Sequence, residues 1–224
     1  MKRPSPRLAS GEAGLSLLLV IQGLILFVLA PLSATAVLGA DWVEGSRFAL
    51  AAIAIFVVTS DPLARWVIAG TFVVSLLATT ALAHAFAGPA AHLWSISVTT
   101  AFEAAVTWSV ARVVFRPGRV TFYRIQGAVV LYLSVGLIFG NLYRLAAISL
   151  HPSFAGLMAA SQPEFGALLY FSFTTLTTTG FGDITPLHPL VRSMANLEAV
   201  LGQLFPATLL ARLVTLEVND RMRP

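Results

Sequence analysis

The sequence contains no cysteine and little charge. Its 224 residues include 14 basic and 10 acidic side chains, together 11% of the chain, and Lys2 is the single lysine. Without cysteine, the chain can form neither a disulfide framework nor a thiolate metal site. Soluble domains carry about twice this fraction of charge. A soluble globular fold is therefore disfavoured.

The chain is instead dominated by apolar residues. Hydrophobic side chains make up 57% of it, and its mean hydropathy is +0.84. This composition predicts an integral membrane protein whose surroundings include the lipid bilayer. The net charge of +4 comes from basic residues at the ends of apolar runs. That placement is typical of membrane edges, so we expect no nucleic-acid partner.

A helix that crosses a bilayer needs about 20 apolar residues. Five runs meet or approach that length: residues 15–38, 66–86, 92–114, 125–150 and 190–213. A sixth run, residues 48–60, spans only if its helix begins near Trp42 and the charged Glu44 and Arg47 lie at the membrane edge. The sequence predicts an all-α integral membrane protein with six transmembrane helices.

The distribution of arginine predicts the orientation, because basic residues flank short loops on the cytoplasmic side. With six spans and both termini cytoplasmic, only Arg47, Arg144 and Arg192 fall on the outer side. The expected location is therefore the cytoplasmic membrane, as a multi-pass protein. The first apolar run also permits a signal peptide cleaved after Ala40. Its length favours an uncleaved first helix.

Between the last two predicted spans lies a segment too short to cross the membrane. Residues 161–164 read S-Q-P-E, a capping-box pattern with proline in the first turn, and an apolar helix is predicted to follow as far as Leu176. Both ends of this segment face outward, so the helix must enter the membrane and return. Its C-terminus would favour a cation. The next residues, T-T-T-G-F-G-D at 177–183, must be buried in protein or line a water-filled cavity.

The two glycines of this stretch indicate an unusual backbone. Several successive carbonyl groups can face one side only if alternate residues adopt angles such as positive φ, which Gly180 and Gly182 allow without steric cost. Divalent ions are usually held by carboxylates, and residues 177–182 contain none. The stretch therefore predicts a site for a weakly hydrated monovalent cation.

Residues 175–183, T-L-T-T-T-G-F-G-D, resemble the potassium-channel pore signature T-x-T-T-x-G-Y/F-G-D. The resemblance implies a selectivity filter whose oxygens replace the hydration shell of potassium. It assigns potassium binding to the backbone carbonyls of Thr178, Thr179, Gly180 and Phe181. The hydroxyl of Thr178 would bind potassium as well. Gly182 would form the outer mouth.

The resemblance also implies residues that support the filter. Asp183 resembles the carboxylate that hydrogen-bonds to an aromatic side chain of the pore helix. The matching aromatic residue here is Tyr170, where many relatives have tryptophan. Thr177 is the third residue that is expected to support the filter.

Three residues of the last predicted span are candidates for a gate or hinge. Gly202 occupies the position of the family's hinge glycine, although close helix packing explains a glycine equally well. Pro206 removes a helical hydrogen bond one turn later. Glu198 is an ionisable residue inside a span, which points to function. It either shapes the potential of an ion cavity or hydrogen-bonds behind the filter.

The signature occurs once in the chain, and the family's filter needs four strands around one axis. The resemblance therefore implies a homotetramer, so that each chain partners three further copies of itself. Residues 121–224 would form the pore domain, and residues 1–120 a four-helix transmembrane region. The fourth predicted span has no arginine before Arg112, so this region is not a typical voltage sensor.

The expected function is passive, potassium-selective transport. Two alternatives stay open: a weakly selective cation channel, because Thr179 and Phe181 replace commoner residues, and a non-conducting membrane subunit that keeps the pore fold. No catalytic constellation is present, and the four histidines lack metal-ligand spacing. We therefore expect no enzymatic activity and no cofactor, with potassium ions as the permeant ligand.

Overall fold

The computed structural model describes residues 6–29, 31–32, 66, 69–74, 77, 89–115, 122–157 and 165–221, and most of them are helical. The helices are α1 (Pro6–Leu24), which continues as a π-helical segment (Ile25–Leu29), α2 (Pro89–Val114), α3 (Phe122–Ser149), α4 (Phe165–Leu176) and α5 (Pro189–Arg221). Two short strands are present, β1 (Phe154–Ala155) and β2 (Thr185–Pro186).

The described helices agree with three of the six predicted apolar runs almost completely and with the first part of the run at 15–38. Helices α2, α3 and α5 cover the runs predicted at 92–114, 125–150 and 190–213 almost completely. The run at 48–60, most of the run at 66–86 and the capping box at 161–164 lie outside the described residues. Within the described part of the chain, α3 is the helix that is long and apolar enough to cross a membrane. Six spans therefore stay a prediction.

The chain divides into two compact units, residues 1–117 with 121–134 and residues 118–120 with 135–224. In the first unit, α1 packs against the first part of α3 through two neutral polar pairs. Ser16 Oγ donates to Gln126 Oε1 at 2.5 Å, and Gln22 Nε2 donates to Ser134 Oγ at 3.0 Å. Pairs of this kind let polar side chains lie between apolar helices.

Helix α2, also in the first unit, satisfies five of its hydroxyl groups within itself. Five serine and threonine side chains donate to the backbone carbonyl four residues earlier: Ser97, Thr99, Thr100, Thr107 and Ser109. Such bonds remove the need for an external partner in apolar surroundings.

In the second unit, glycines of α3 allow α4 to approach closely. A Cβ atom at Gly136 would lie 2.8 Å from Phe173 Cζ, and one at Gly140 would lie 3.1 Å from Leu169 Cδ1. Beside this contact, Tyr143 of α3 meets Phe171 of α4 edge to face, with ring centroids 4.9 Å apart. The packing of α3 on α4 thus combines backbone proximity with aromatic contacts.

A two-stranded antiparallel sheet joins the chain after α3 to the chain before α5. Phe154 pairs with Pro186 and Ala155 with Thr185, and Leu187 N donates to Ser153 O at 2.8 Å. The predominance of helix confirms the predicted class in its main feature, but the sequence analysis did not predict this sheet. Strands of two residues are too short to show an alternating pattern.

His188 caps the start of α5. Its carbonyl accepts the first helical hydrogen bond, from Arg192 N at 3.0 Å, and its Nδ1 accepts from Leu190 N at 3.2 Å. Pro189 follows as the first helical residue, where its missing N–H costs nothing. Helix α5 therefore begins directly after the sheet.

Candidate functional site

The site begins where α4 ends, in a Schellman motif. Thr178 N donates to Thr175 O at 2.9 Å, and Thr179 N donates to Thr174 O at 2.8 Å. This pairing places Thr178 at the position after the cap, with a φ of 56°. Glycine is usual there. A side chain with a Cβ in this left-handed region costs about 1–2 kcal/mol.

Positive φ recurs at every second residue of 177–183, which we call the glycine segment. The values are 56° at Thr178, 58° at Gly180 and 79° at Gly182, and the residues between them do not have positive φ. The alternation departs from a regular strand, in which successive carbonyls point to opposite sides. The positive φ expected for the two glycines is present, whereas that of Thr178 was not predicted.

The need for glycine at these positions comes from the backbone angle. A Cβ atom at Gly180 or Gly182 would have no neighbouring atom within 4 Å among the described residues. All seven residues of the glycine segment are exposed in the isolated chain. Space is therefore available, and the conformation alone disfavours a side chain there.

Hydroxyl groups brace the N-terminal end of the segment. Thr177 Oγ1 donates to Phe173 O at 2.6 Å and lies 2.8 Å from Thr179 Oγ1. Because Thr177 has one hydroxyl proton and gives it to Phe173 O, Thr179 is the donor in the second bond. Thr177 thus supports Thr179 through its hydroxyl, and its role beside a filter stays a prediction.

Thr178 has a partner on α5. Gln203 Nε2 donates to Thr178 Oγ1 at 2.8 Å. The sequence analysis did not single out Gln203. The sequence did offer one indication of a role for Gln203, because it is a polar side chain inside a predicted span.

The C-terminal end of the segment contacts α4 and the chain beside the sheet. Phe181 stacks on Tyr170, with ring centroids 6.2 Å apart and an interplanar angle of 4°. The Tyr170 hydroxyl and the Asp183 carboxylate lie close enough to interact electrostatically, and the hydrogen bond expected between them stays a prediction. Gly156, with a φ of 82°, lies so close that a Cβ atom there would be 1.8 Å from Asp183 O. The C-terminal end is therefore fixed by backbone as well as by side chains.

Gly202 brings the backbone of α5 against the end of α4. A Cβ atom at Gly202 would lie 1.8 Å from Leu176 O, so no larger residue fits without movement. Of the two explanations open at the sequence level, this geometry favours close packing. Helix α5 continues through Pro206, which donates no hydrogen bond to the Gly202 carbonyl four residues earlier.

Glu198 lies behind α4 in a buried polar group that we call the Glu198 cluster: Glu198, Tyr143 and Ser172, all at 0% exposure. Tyr143 donates from its hydroxyl to Glu198 Oε2 at 2.7 Å. Ser172 Oγ lies 2.5 Å from Glu198 Oε1 and 2.8 Å from Gly136 O. The cluster thus joins α3, α4 and α5, and of the two roles left open for Glu198 the structure favours hydrogen bonding behind the candidate filter.

The proton count of the cluster favours a neutral Glu198. Ser172 has one hydroxyl proton, and the Gly136 carbonyl can only accept it. The short contact between Ser172 and Glu198 then needs a proton from the carboxyl group. A protonated Glu198 therefore satisfies every bond of the cluster without burying an unpaired charge.

Tyr143, Ser172 and Gln203 could not be predicted as site residues, because their partners are distant in the chain. Within the described residues, no group of three or more histidine, aspartate or glutamate side chains could hold a metal ion. The oxygens of the site that belong to residues 177–182 are carbonyls and hydroxyls. They suit a cation that prefers neutral ligands.

Comparison with known families gives one finding. Residues 122–219, somewhat less than half of the chain, match a family model described as an ion channel. The match covers α3 to α5 and the whole glycine segment. It supports an ion-channel pore in this part of the chain, which implies a location in a membrane and favours transport over catalysis. Comparisons with curated proteins and with solved structures give no match.

Proposed function

We propose that the protein is a potassium-selective channel that conducts passively as a homotetramer. The observation that carries the proposal is the alternating positive φ at Thr178, Gly180 and Gly182, directly after the C-terminus of α4. Alternation of this kind turns successive carbonyl groups toward one side. The resemblance of residues 175–183 to the potassium-channel signature supports the same conclusion.

The chemistry of the segment suits potassium. Conduction requires oxygens that replace the hydration shell without binding the ion too tightly. Neutral carbonyls meet this requirement, and the first carboxylate of the segment is Asp183, at its outer end. The partial negative charge at the C-terminus of α4 favours a cation beside Thr178.

The resemblance to the potassium-channel signature implies four chains around one axis, and an assembly of several chains agrees with the need to surround the ion. One glycine segment supplies oxygens from one direction, and cyclic symmetry supplies the others. Apolar side chains on α5 support such an assembly: Leu197 and Leu204 are each 55% exposed, and Phe181 of the segment is 70% exposed. Contiguous apolar exposure is typical of surfaces that another chain or lipid covers.

The proposed topology has six spans, a re-entrant α4 and both termini in the cytoplasm. The arginine distribution supports it, because the basic residues predicted on the outer side are only Arg47, Arg144 and Arg192. In this arrangement α4 and the glycine segment open toward the outer side of the cytoplasmic membrane.

Cation flux into liposomes tests the proposal. Purified protein should pass potassium faster than sodium, and Gly180→Ala should lower the potassium flux by about tenfold or more, because alanine costs about 1–2 kcal/mol at this φ. Gly166→Ala is the matched control. Gly166 lies in α4 with no atom within 4 Å of an added Cβ, so its replacement should leave the flux unchanged.

The other outcomes identify the alternatives. Equal fluxes of sodium and potassium would support a weakly selective cation channel, which the hydroxyl of Thr179 within the segment favours. Absence of any flux would support a non-conducting subunit. Potassium flux that survives Gly180→Ala would show that the glycine segment is not the filter.

A further inference from the structure

Gln203 is a side chain of α5 that reaches the glycine segment. Its Nε2 donates to Thr178 Oγ1 at 2.8 Å, across 25 residues of sequence. The amide is neutral and does not titrate, so the bond is available at any physiological pH. The contact therefore links the inner helix of the proposed pore to the first residue with positive φ.

The position of Gln203 follows from its neighbour. Gly202 allows α5 to approach Leu176 O so closely that an added Cβ would be 1.8 Å away. Leu176 is the last residue of α4, and Thr178 follows two residues later. The glycine thus brings the backbone together, and the next side chain spans the remaining distance.

Thr178 adopts a conformation that glycine would adopt more readily. Its φ of 56° places a β-branched side chain in the left-handed region. Backbone strain of this kind persists where the surrounding structure imposes it, and it is concentrated at functional sites. The side chain of Thr178 is therefore present for what its hydroxyl does, and that hydroxyl is the group Gln203 holds.

We propose that Gln203 is a positioning residue that fixes the Thr178 hydroxyl at the inner end of the filter and so sets the discrimination between potassium and sodium. The inference rests on the proposed function. Thr178 Oγ1 has two lone pairs and one proton. Gln203 occupies one lone pair, which fixes the side-chain rotamer and directs the other lone pair consistently toward a passing ion.

The test compares the potassium-to-sodium permeability ratio of variants in planar bilayers. Gln203→Met keeps the length of the side chain but cannot donate, and it should lower the ratio about fivefold, as expected for the loss of one hydrogen bond. Thr208→Val is the matched control on the same helix. The Thr208 hydroxyl bonds only to Leu204 O and Phe205 O among the described residues, so the ratio should not change.

A double-mutant cycle separates positioning from a general effect on α5. In a Thr178→Ala background the acceptor is missing, so Gln203→Met should cause no further change in the ratio. In a Thr178→Ser background the hydroxyl is kept, and the sensitivity to Gln203→Met should persist. Additive effects in the alanine background would overturn the proposal.

The proposed function and this inference fail differently. A selective wild-type channel whose ratio is unchanged in Gln203→Met would refute the role of Gln203 and leave the channel intact. If the wild-type protein passes no cation, the proposed function fails. The contact between Gln203 and Thr178 is then tested by solid-state NMR of the lipid-reconstituted protein. The Gln203 side-chain amide resonance should then shift on Thr178→Ala, and an unchanged resonance would overturn the positioning role.

Discussion

The glycine segment and the Glu198 cluster are both polar regions set among apolar helices, but they treat their polar atoms in opposite ways. Every residue of the segment is exposed in the isolated chain, whereas the three side chains of the cluster are at 0% exposure. The cluster pairs its atoms with one another and with the Gly136 carbonyl. The segment instead presents oxygens that can serve a ligand.

This difference separates two uses of polarity in a membrane protein. Buried polar atoms must be paired, so the cluster contributes to holding α3, α4 and α5 together. Exposed oxygens held by a strained backbone contribute little to stability but are available for ions. We therefore expect substitutions in the cluster to change the free energy of unfolding, and substitutions in the segment to change ion flux.

The largest expected effect is that of Glu198→Ala. The substitution removes a buried side chain, leaves the Tyr143 hydroxyl without its acceptor, and leaves the Ser172 hydroxyl with Gly136 O as its remaining partner. The combined cost should be about 4 kcal/mol of unfolding free energy. Thermal unfolding in detergent, followed by circular dichroism, measures it as a lower midpoint.

Glu198→Gln is the control for that prediction. A glutamine amide can donate to Ser172 and accept from Tyr143, as a protonated carboxyl group does. The variant should therefore stay within about 1 kcal/mol of the wild type. A loss as large as that of Glu198→Ala would contradict the neutral form of Glu198.

Gly202→Ala tests the junction between the two regions, since Gly202 lies one turn after Glu198 and contacts the end of α4. The new methyl group would meet Leu176 O at 1.8 Å, and relieving the clash must move a helix backbone. We expect destabilisation of about 3 kcal/mol. Gly23→Ala, in α1 with no atom within 4 Å of an added Cβ, should show no loss in the same assay.

Thr179→Val should have the smallest effect on stability. It removes the hydrogen bond to Thr177, but Thr177 keeps its bond to Phe173 O. The side chain is exposed, so the free energy of unfolding should change by less than about 0.5 kcal/mol. The potassium-to-sodium flux ratio of the variant should nevertheless differ from that of the wild type. A large drop in the unfolding midpoint with an unchanged potassium-to-sodium flux ratio would contradict the expectation that the glycine segment affects ion flux and not stability.

The sequence predicted the features of this region that depend on local patterns. The end of α4 at Leu176 and the positive φ of Gly180 and Gly182 agree with the expectations from apolar periodicity and from glycine. Local rules did not predict the left-handed Thr178, because glycine is the usual residue after a helix cap. Thr178 contacts Gln203 of α5, and its backbone adopts a left-handed conformation that threonine disfavours.

Contacts between distant residues could not be predicted from a single sequence. Glu198 was identified as an unusual residue, but its partners Tyr143 and Ser172 lie 55 and 26 residues away. The role of Gly202 also depends on its contact with the distant residue Leu176. Glycine suits both a helix hinge and a close approach of two helices, so the sequence alone does not distinguish them. The sheet was missed because its strands are only two residues long.

The glycine segment is tied at both ends by main-chain hydrogen bonds, through the Schellman motif at the end of α4 and through the pairing of β1 with β2. The entropy of closing this short loop is therefore lost when a single chain folds. A cation bound at the proposed site would meet oxygens already held in place, and its binding energy would not be reduced by ordering the backbone. Any assembly of several chains would likewise align segments that each chain has already formed.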